Sequence, residues 1–401
     1  MSPLERQLRD EWGRLLALLV AQFRRLDLAE DGLGDAFEAA ARTWPVDGVP
    51  TNPPAWLLVA ARRRILDRLR TEAVAARRLP LLAVEAELTQ EARSTMADAG
   101  EEVVDQRLRL VLLAAHPSLP RENAAALTLR LVLGVSTADI AHLFLVSTST
   151  MAARLTRSRR SLASARFEVP GGPELEERLA MVADVAYLAF TAGYAPASGE
   201  VVVRPDLAAE AIRLTRLVRG LAPGHPDLDA LLALMLLQHS RREARTSDGE
   251  LVLLADQDRS RWQVDEIEEA IALLTPHARA PGTPWLLQAL IAAEHAVAPR
   301  ARDTDWARIV SRYDELLVLV DSPVVRLNRA VAVAETAGPL AGLALLEDLT
   351  LPGHRLPATR AGLAARAGLT DLARSSYDEA VGLCLNGAER RHLERRRALL
   401  E

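Results

Sequence analysis

The stretch PRENAAALTLRLVLGVSTADIAHLFLVSTSTMAARLTRSRRSLASARF, residues 120–167, decides the fold. It reads as three short helices. The first, over about residues 121–133, carries Ala125, Leu127, Leu129, Leu131 and Leu133 and stops at Gly134, a residue favoured just past a helix end. Ser136 or Thr137 caps the second, whose Ile140, Ala141, Phe144 and Leu145 recur at helical spacing. Val146 and Ser147 make a short turn. Thr148 or Ser149 then caps a third helix running to about Ala163. Met151, Leu155 and Leu162 fall on its inward side. Arg154, Arg157, Arg159 and Arg160 cannot all be buried and must face solvent or a polyanion.

A helix, a tight turn, and a second helix with hydroxyls at its start and arginines behind them form the pattern of a helix-turn-helix DNA reader. The first residues of the reading helix reach base edges. The arginines pair with phosphate oxygens or with guanine O6 and N7. From Arg154 to Arg166 there are five arginines and no acid. On spacing alone, an ordinary pair of antiparallel helices with a solvated basic face fits equally well.

The segment LTLRLVLGVSTADIAHLFLVSTSTMAARLTRSRRSL resembles region 4 of a bacterial RNA polymerase sigma factor. The chain as a whole is most similar to extracytoplasmic-function (group IV) sigma factors with a long C-terminal tetratricopeptide-like extension. The resemblance implies an all-α fold with sigma region 2 over residues 1–76 and a linker over 77–103 leading to the region 4 helix-turn-helix over 104–168. A helical regulatory extension follows over 169–401. It implies a transcription-initiation factor, not an enzyme, whose partners are core RNA polymerase and promoter DNA. Thr148, Ser149, Thr150, Ala153, Arg154, Arg157 and Arg159 are then the residues that meet the −35 element.

Composition sets the outer bounds. A chain of 401 residues is long enough for two or three domains, and at 49% hydrophobic it can bury a large core. All 49 basic residues are arginine, and the net charge is −5. The charge is uneven. Residues 1–170 hold 23 arginines against 21 acids, and the remainder holds 26 against 33. Residues 62–78 concentrate seven arginines against Asp67 and Glu72. The single cysteine, Cys384, is expected to exclude an intramolecular disulfide and any cysteine-based zinc site, and it reads as a small apolar residue. No metal or other cofactor is expected. The start of the chain mixes acids and bases, unlike a signal peptide, and the most apolar long run, residues 228–237, is too short to span a membrane. A cytoplasmic protein without membrane contact is expected.

Taken in order, residues 4–26 form an amphipathic helix with Leu8, Trp12, Leu15, Leu16, Leu19 and Phe23 on one face. A second helix follows at about 29–44. Its sequence AEDGLGDAFEAAARTW resembles sigma region 2.2, which implies that Asp31, Leu33, Asp35 and Phe37 contact core polymerase. Gly34 stands where the family usually has Gln, and Gly32 and Gly34 each cost about 1 kcal/mol in a helix interior. Residues 45–54, PVDGVPTNPP, read as irregular structure. In the family this loop receives a flipped base, which implies a base-reading role for Asn52 between Trp44 and Trp56; for Trp56 a core position is the preferred reading. Residues 55–75 form the next helix, and AARRRILDRLR resembles regions 2.3 and 2.4. The resemblance makes Arg62, Arg63, Arg64 and Arg68 −10 contacts, with Arg63 replacing the family's common Asn.

His116 reads as a helix-end cap. The breaker cluster VPGGP, residues 169–173, marks the best domain boundary. Beyond it the pattern is helical. The acid and arginine mixture in LADQDRSRW, residues 254–262, reads as capping and surface pairing. Residues 324–349 and 356–383 read as two helical hairpins, crossing at Ala330 and Gly342 and at Ala361 and Ala373; Tyr377 and Ala380 take tetratricopeptide-like positions. The extension is expected to contact its own sigma domains or polymerase. A conventional helix-turn-helix regulator with a peptide- or ligand-sensing helical domain is the alternative, although it has no need of the region 2-like half. An enzyme lacks support: there is no phosphate-binding glycine loop, no HExxH and no nucleophile elbow.

Overall fold

The computed structural model describes residues 3–75, 101–144, 146–162, 165, 167–194, 205–247 and 249–400. Within them lie eighteen α-helices and one two-stranded hairpin, so the fold is all-α. Residues 76–100, which hold most of the expected 77–103 linker with Arg77 and Arg78, and also Leu145, Ala163 and Arg166, lie outside the described residues; residues 101–103 of that linker are helical instead. The chain divides into two compact units, Met1–Ala186 and Tyr187–Glu401.

Unit 1 opens with α1 (Pro3–Phe23), α2 (Leu26–Asp47) and α3 (Pro53–Ala75), followed by α4 (Glu101–Ala114). Then come α5 (Arg121–Leu131), α6 (Thr137–Leu143), α7 (Thr148–Ser161) and α8 (Gly172–Tyr194). The division between units falls inside α8, beyond the proline–glycine cluster. The apolar face of α1 gives Trp12, Leu15, Leu16 and Leu19 to the core. This helix packs on α2 and α3 and also on α4 and α5, so the region 2-like and region 4-like parts share it. Gly32 has a clear packing reason. A Cβ there would lie 2.7 Å from Ile65 Cγ1 on α3, so its helix-propensity cost accompanies close helix contact; Gly34 has open space around it.

The proline-rich stretch after Trp44 is more regular than its composition indicates. Pro45 and Asp47 complete the last turn of α2, and Pro53 and Pro54 open α3. Proline is well tolerated in a first helical turn, where its missing N–H has no partner to lose. The irregular segment shrinks to residues 48–52. His116 behaves as a turn cap: its Nδ1 accepts from Ser118 N at 3.1 Å.

In unit 2, α9 (Pro205–Leu221) and α10 (Pro226–His239) lead to the hairpin β1 (Thr246–Ser247) and β2 (Glu250–Leu251). The helices α11 (Val264–Leu274), α12 (Pro284–Val297) and α13 (Trp306–Leu319) follow. The unit ends with α14 (Pro323–Ala337), α15 (Pro339–Ala344), α16 (Arg355–Arg366), α17 (Thr370–Leu383) and α18 (Gly387–Ala398). From α9 on, successive helices pack on their chain neighbours. Both expected hairpins are present, as α14–α15 and α16–α17. Gly342 admits the close crossing, since a Cβ would lie 2.7 Å from Ala334 Cβ and 2.8 Å from Ala330 O. Ala361, Tyr377, Ala380, Cys384 and Leu393 form one apolar cluster. The basic last helix is held inside the unit: Arg395 reaches Glu250 at 2.6 Å, and Arg391 reaches it at 3.4 Å.

LADQDRSRW is structural. Asp258 caps a short 3₁₀ turn through Ser260 N at 3.0 Å. Arg259 donates to the carbonyls of His295 and Ala298 at 2.6 and 2.8 Å and lies over the Trp262 ring. Burial, reinforced by Arg241 and Arg259, pushes His295 down to about 4. Between about pH 6.5 and 4 the unfolded chain then takes up a proton that the folded one refuses, so unit 2 loses stability as pH falls through that window. Urea midpoints measured at pH 7 and pH 5 should converge in His295→Phe relative to the parent.

Candidate nucleic-acid interface

The reading helix α7 begins one residue earlier than the hydroxyl pattern indicates. Ser147 is the N-cap: its Oγ accepts from Thr150 N at 3.1 Å. Thr148, Ser149 and Thr150 are left exposed on the first turn, with Ala153 and Arg157 on the same accessible side. Ser136 caps α6 through Asp139 N at 3.1 Å. Gly134 turns the chain with a left-handed φ of 64°, a conformation that glycine adopts without a Cβ penalty. Met151 and Leu155 anchor the inner face, and Leu162 packs just past the helix end. This is a helix-turn-helix with its N-terminal turn, and the positive end of its dipole, open to solvent.

The arginines divide. Arg157 and Arg160 are exposed. Arg154 lies over the Phe144 ring and 3.5 Å from Glu122. Arg159 is engaged with the N-terminal half: its Nη2 donates to Glu30 Oε1 at 2.8 Å, and its Nε lies 2.7 Å from Oε2. Arg130 donates to the same Oε1 at 2.7 Å. Glu30, on α2, is only 5% exposed. One buried carboxylate thus joins a guanidinium from α5 to one from the reading helix.

The junction is tight around this group. A Cβ on Gly13 of α1 would lie 2.1 Å from Val132 O. Trp12 lies against Gly134, and Arg130 sits 5.0 Å over its ring. Arg24, the one non-glycine left-handed residue among those described, joins α1 to α2 and donates to Phe167 O at 3.2 Å. A cavity of about 640 Å³ lies beside Glu30, lined by Arg24, Arg25, Asp27, Arg159 and Arg160.

The region 2-like half places its expected contacts less evenly. Leu33 is fully buried, which removes it from any contact surface. Phe37 is half-buried against Trp12, with ring centroids 5.3 Å apart. Asp31 and Asp35, assigned to polymerase, both hold Arg68, assigned to DNA, at 2.6 and 3.0 Å. Arg62 is 7% exposed and cannot reach a phosphate from there, whereas Arg63 and Arg64 are exposed. Asn52 is exposed, but its Oδ1 is occupied as a cap, accepting from Ala55 N at 3.1 Å. Trp44 is the core tryptophan and Trp56 is half-buried against it, the reverse of the sequence expectation. Glu30 and Gly13 carry no motif signal. Glu30 does share a helical face with Leu26 and Leu33, and an acid on an apolar face calls for a buried partner.

Comparison with known proteins follows this geometry. Residues 109–162 match the family described as Sigma-70, region 4, which spans α5, α6 and α7. Residues 178–278 match a family of unknown function, DUF6596. An uncharacterized protein of Rhizobium meliloti (strain 1021) is 41% identical over 389 residues, covering 93% of this chain and 90% of that one. The chain belongs to the same family as this rhizobial protein. It carries a sigma-70 region 4 domain, a DNA-binding and non-catalytic module, at the position of its helix-turn-helix. No solved structure matches the chain. No helix among the described residues is long and apolar enough to cross a membrane.

Proposed function

We propose that the protein is a sigma factor of the extracytoplasmic-function type, which joins core RNA polymerase, directs it to particular promoters and starts transcription. The observation that carries this is the sigma-70 region 4 match falling on a helix-turn-helix whose first turn is exposed, in one compact unit with a three-helix region 2-like half. In this reading Thr148, Ser149, Thr150, Ala153 and Arg157 meet the −35 element. Arg63 and Arg64 are the phosphate contacts toward −10, and Asp31, Asp35 and Phe37 face polymerase. The helical extension, tetratricopeptide-like in its hairpins, regulates unit 1 or polymerase contact. Arg178 is buried and donates to Leu112 O, and Asp184 pairs with Arg121, so a truncation that respects unit 1 must run to Ala186.

The closed geometry adds a requirement. Elements at −35 and −10 lie about 25 base pairs apart, ~85 Å along B-DNA at ~3.4 Å per pair. A compact unit of this size has a radius of gyration of about 16 Å. Reading both elements therefore requires the region 2-like and region 4-like halves to separate, releasing Arg159 from Glu30 for DNA.

Run-off transcription with core polymerase and the full chain tests the reading. Arg157→Ala should weaken promoter binding by about 1–3 kcal/mol if the side chain makes a bidentate base contact, and the loss should fall at one base position. A loss spread evenly over sequences, with a shallower salt slope, would make Arg157 a phosphate contact. Failure of the parent protein to bind core polymerase in a pull-down would overturn the sigma-factor reading.

A further inference from the structure

We propose that His354, Cys384 and Glu389 form a zinc(II) site with one open coordination position in unit 2. The three offer an imidazole nitrogen, a thiol sulfur and a carboxylate oxygen, all within 4.8 Å of one another. They come from three separate elements. His354 is the residue before α16, Cys384 ends α17, and Glu389 sits in the first turn of α18. Zinc prefers sulfur and nitrogen donors at about 2.0–2.3 Å, and three protein ligands with a free fourth position is its usual arrangement where a further ligand must enter. The mixed donor set disfavours magnesium and calcium, which take oxygen.

The surroundings hold these groups in place. Asn386, 1% exposed, accepts from Glu389 N through Oδ1 at 3.1 Å, and its backbone oxygen accepts from Cys384 Sγ at 3.4 Å. The turn from Cys384 to Glu389 is thereby fixed as a unit. Cys384 is buried, while His354 and Glu389 each keep part of their side chain in contact with solvent, which gives an ion a way in. His354 Nε2 lies 2.9 Å from Glu389 Oε2. Two ligands of one tetrahedral zinc stand about 3.4 Å apart at the usual bond lengths, so the pair must part by about 0.5 Å.

Charge also balances. On binding, the thiol proton leaves to solvent as the zinc–sulfur bond forms, and the ion replaces the hydrogen bond between His354 and Glu389. Thiolate and carboxylate then neutralise the dication. Arg245 and Arg355 both act on Glu389 and favour its ionised form. They also oppose the cation, and they favour an anion or water, rather than a further cationic group, at the open position.

The test uses the full chain, stripped with chelator and titrated with zinc or cobalt(II) alone. One zinc per chain should survive gel filtration, and magnesium should not compete. The cobalt form should show thiolate-to-metal charge-transfer absorption, which Cys384→Ser abolishes. His354→Ala and Glu389→Gln should each weaken zinc binding by at least about tenfold. Far-UV circular dichroism checks folding. If Cys384→Ser does not fold, the parent cobalt spectrum and Glu389→Gln carry the decision. Loss of all zinc on gel filtration, a cobalt form without the thiolate band, or affinity unchanged in both His354→Ala and Glu389→Gln would each overturn the site.

Discussion

Replacing Glu30 by alanine should lower the stability of unit 1 by about 3–5 kcal/mol, the range found when one member of a buried ion pair is removed and its partners are left uncompensated. Two guanidinia, Arg130 and Arg159, depend on this one carboxylate. For a unit of this size the thermal midpoint should fall by roughly 6–20 °C. Glu30→Gln keeps one acceptor oxygen and the side-chain volume, so its cost should be smaller. Arg159 is freed in both variants. Non-specific DNA binding should tighten and its salt dependence should steepen, because one more cation is available to displace counterions. Urea unfolding and a salt titration of DNA affinity read the two effects separately. A loss below about 1 kcal/mol in Glu30→Ala, the range of an exposed pair, would mean that Glu30 does not hold the halves together.

Gly13→Ala has an effect whose sign depends on closure. In a free helix the change should stabilise by about 1 kcal/mol, since alanine is the better helix former. At the junction, the new Cβ would lie 2.1 Å from Val132 O and 3.0 Å from Val132 C. Both are backbone atoms, which cannot rotate away as a side-chain tip can. Overpacking of this kind costs about 3 kcal/mol or more, the upper end of the usual range. Net destabilisation in urea is the expected result. Net stabilisation would place the halves apart in solution.

The helix-turn-helix was legible because its signals are local. Gly134 needs only its own left-handed backbone, and the inward set Met151, Leu155 and Leu162 follows helical period. The two hairpins near the end of the chain were legible for the same reason: small residues mark close crossings. The exact caps were less so. Ser147, Thr148 and Ser149 are chemically equivalent as caps, and only the backbone decides between them. Site residues were the least legible, because their fates depend on distant partners. Arg154, Arg157 and Arg159 look alike in sequence, yet Arg159 is claimed by a carboxylate far back in the chain and Arg157 is not. Family position assigns Leu33 to a surface, although its helical face points inward. The expectation of no cysteine-based zinc site counts cysteines alone, and nothing local shows that His354 and Glu389 converge on Cys384.

Trp12 occupies the centre of the junction, 7% exposed, with the Arg130 guanidinium over its ring and Phe37 beside it. Its indole is therefore an intrinsic optical gauge of whether the two halves are together. Parting them would exchange the Arg130 guanidinium for water over this one ring and leave Phe37 beside it, while Trp44, buried within the α2–α3 pair, would keep its surroundings. A red shift in emission that disappears in Trp12→Phe would follow separation in real time as polymerase or promoter is mixed in, with no attached dye.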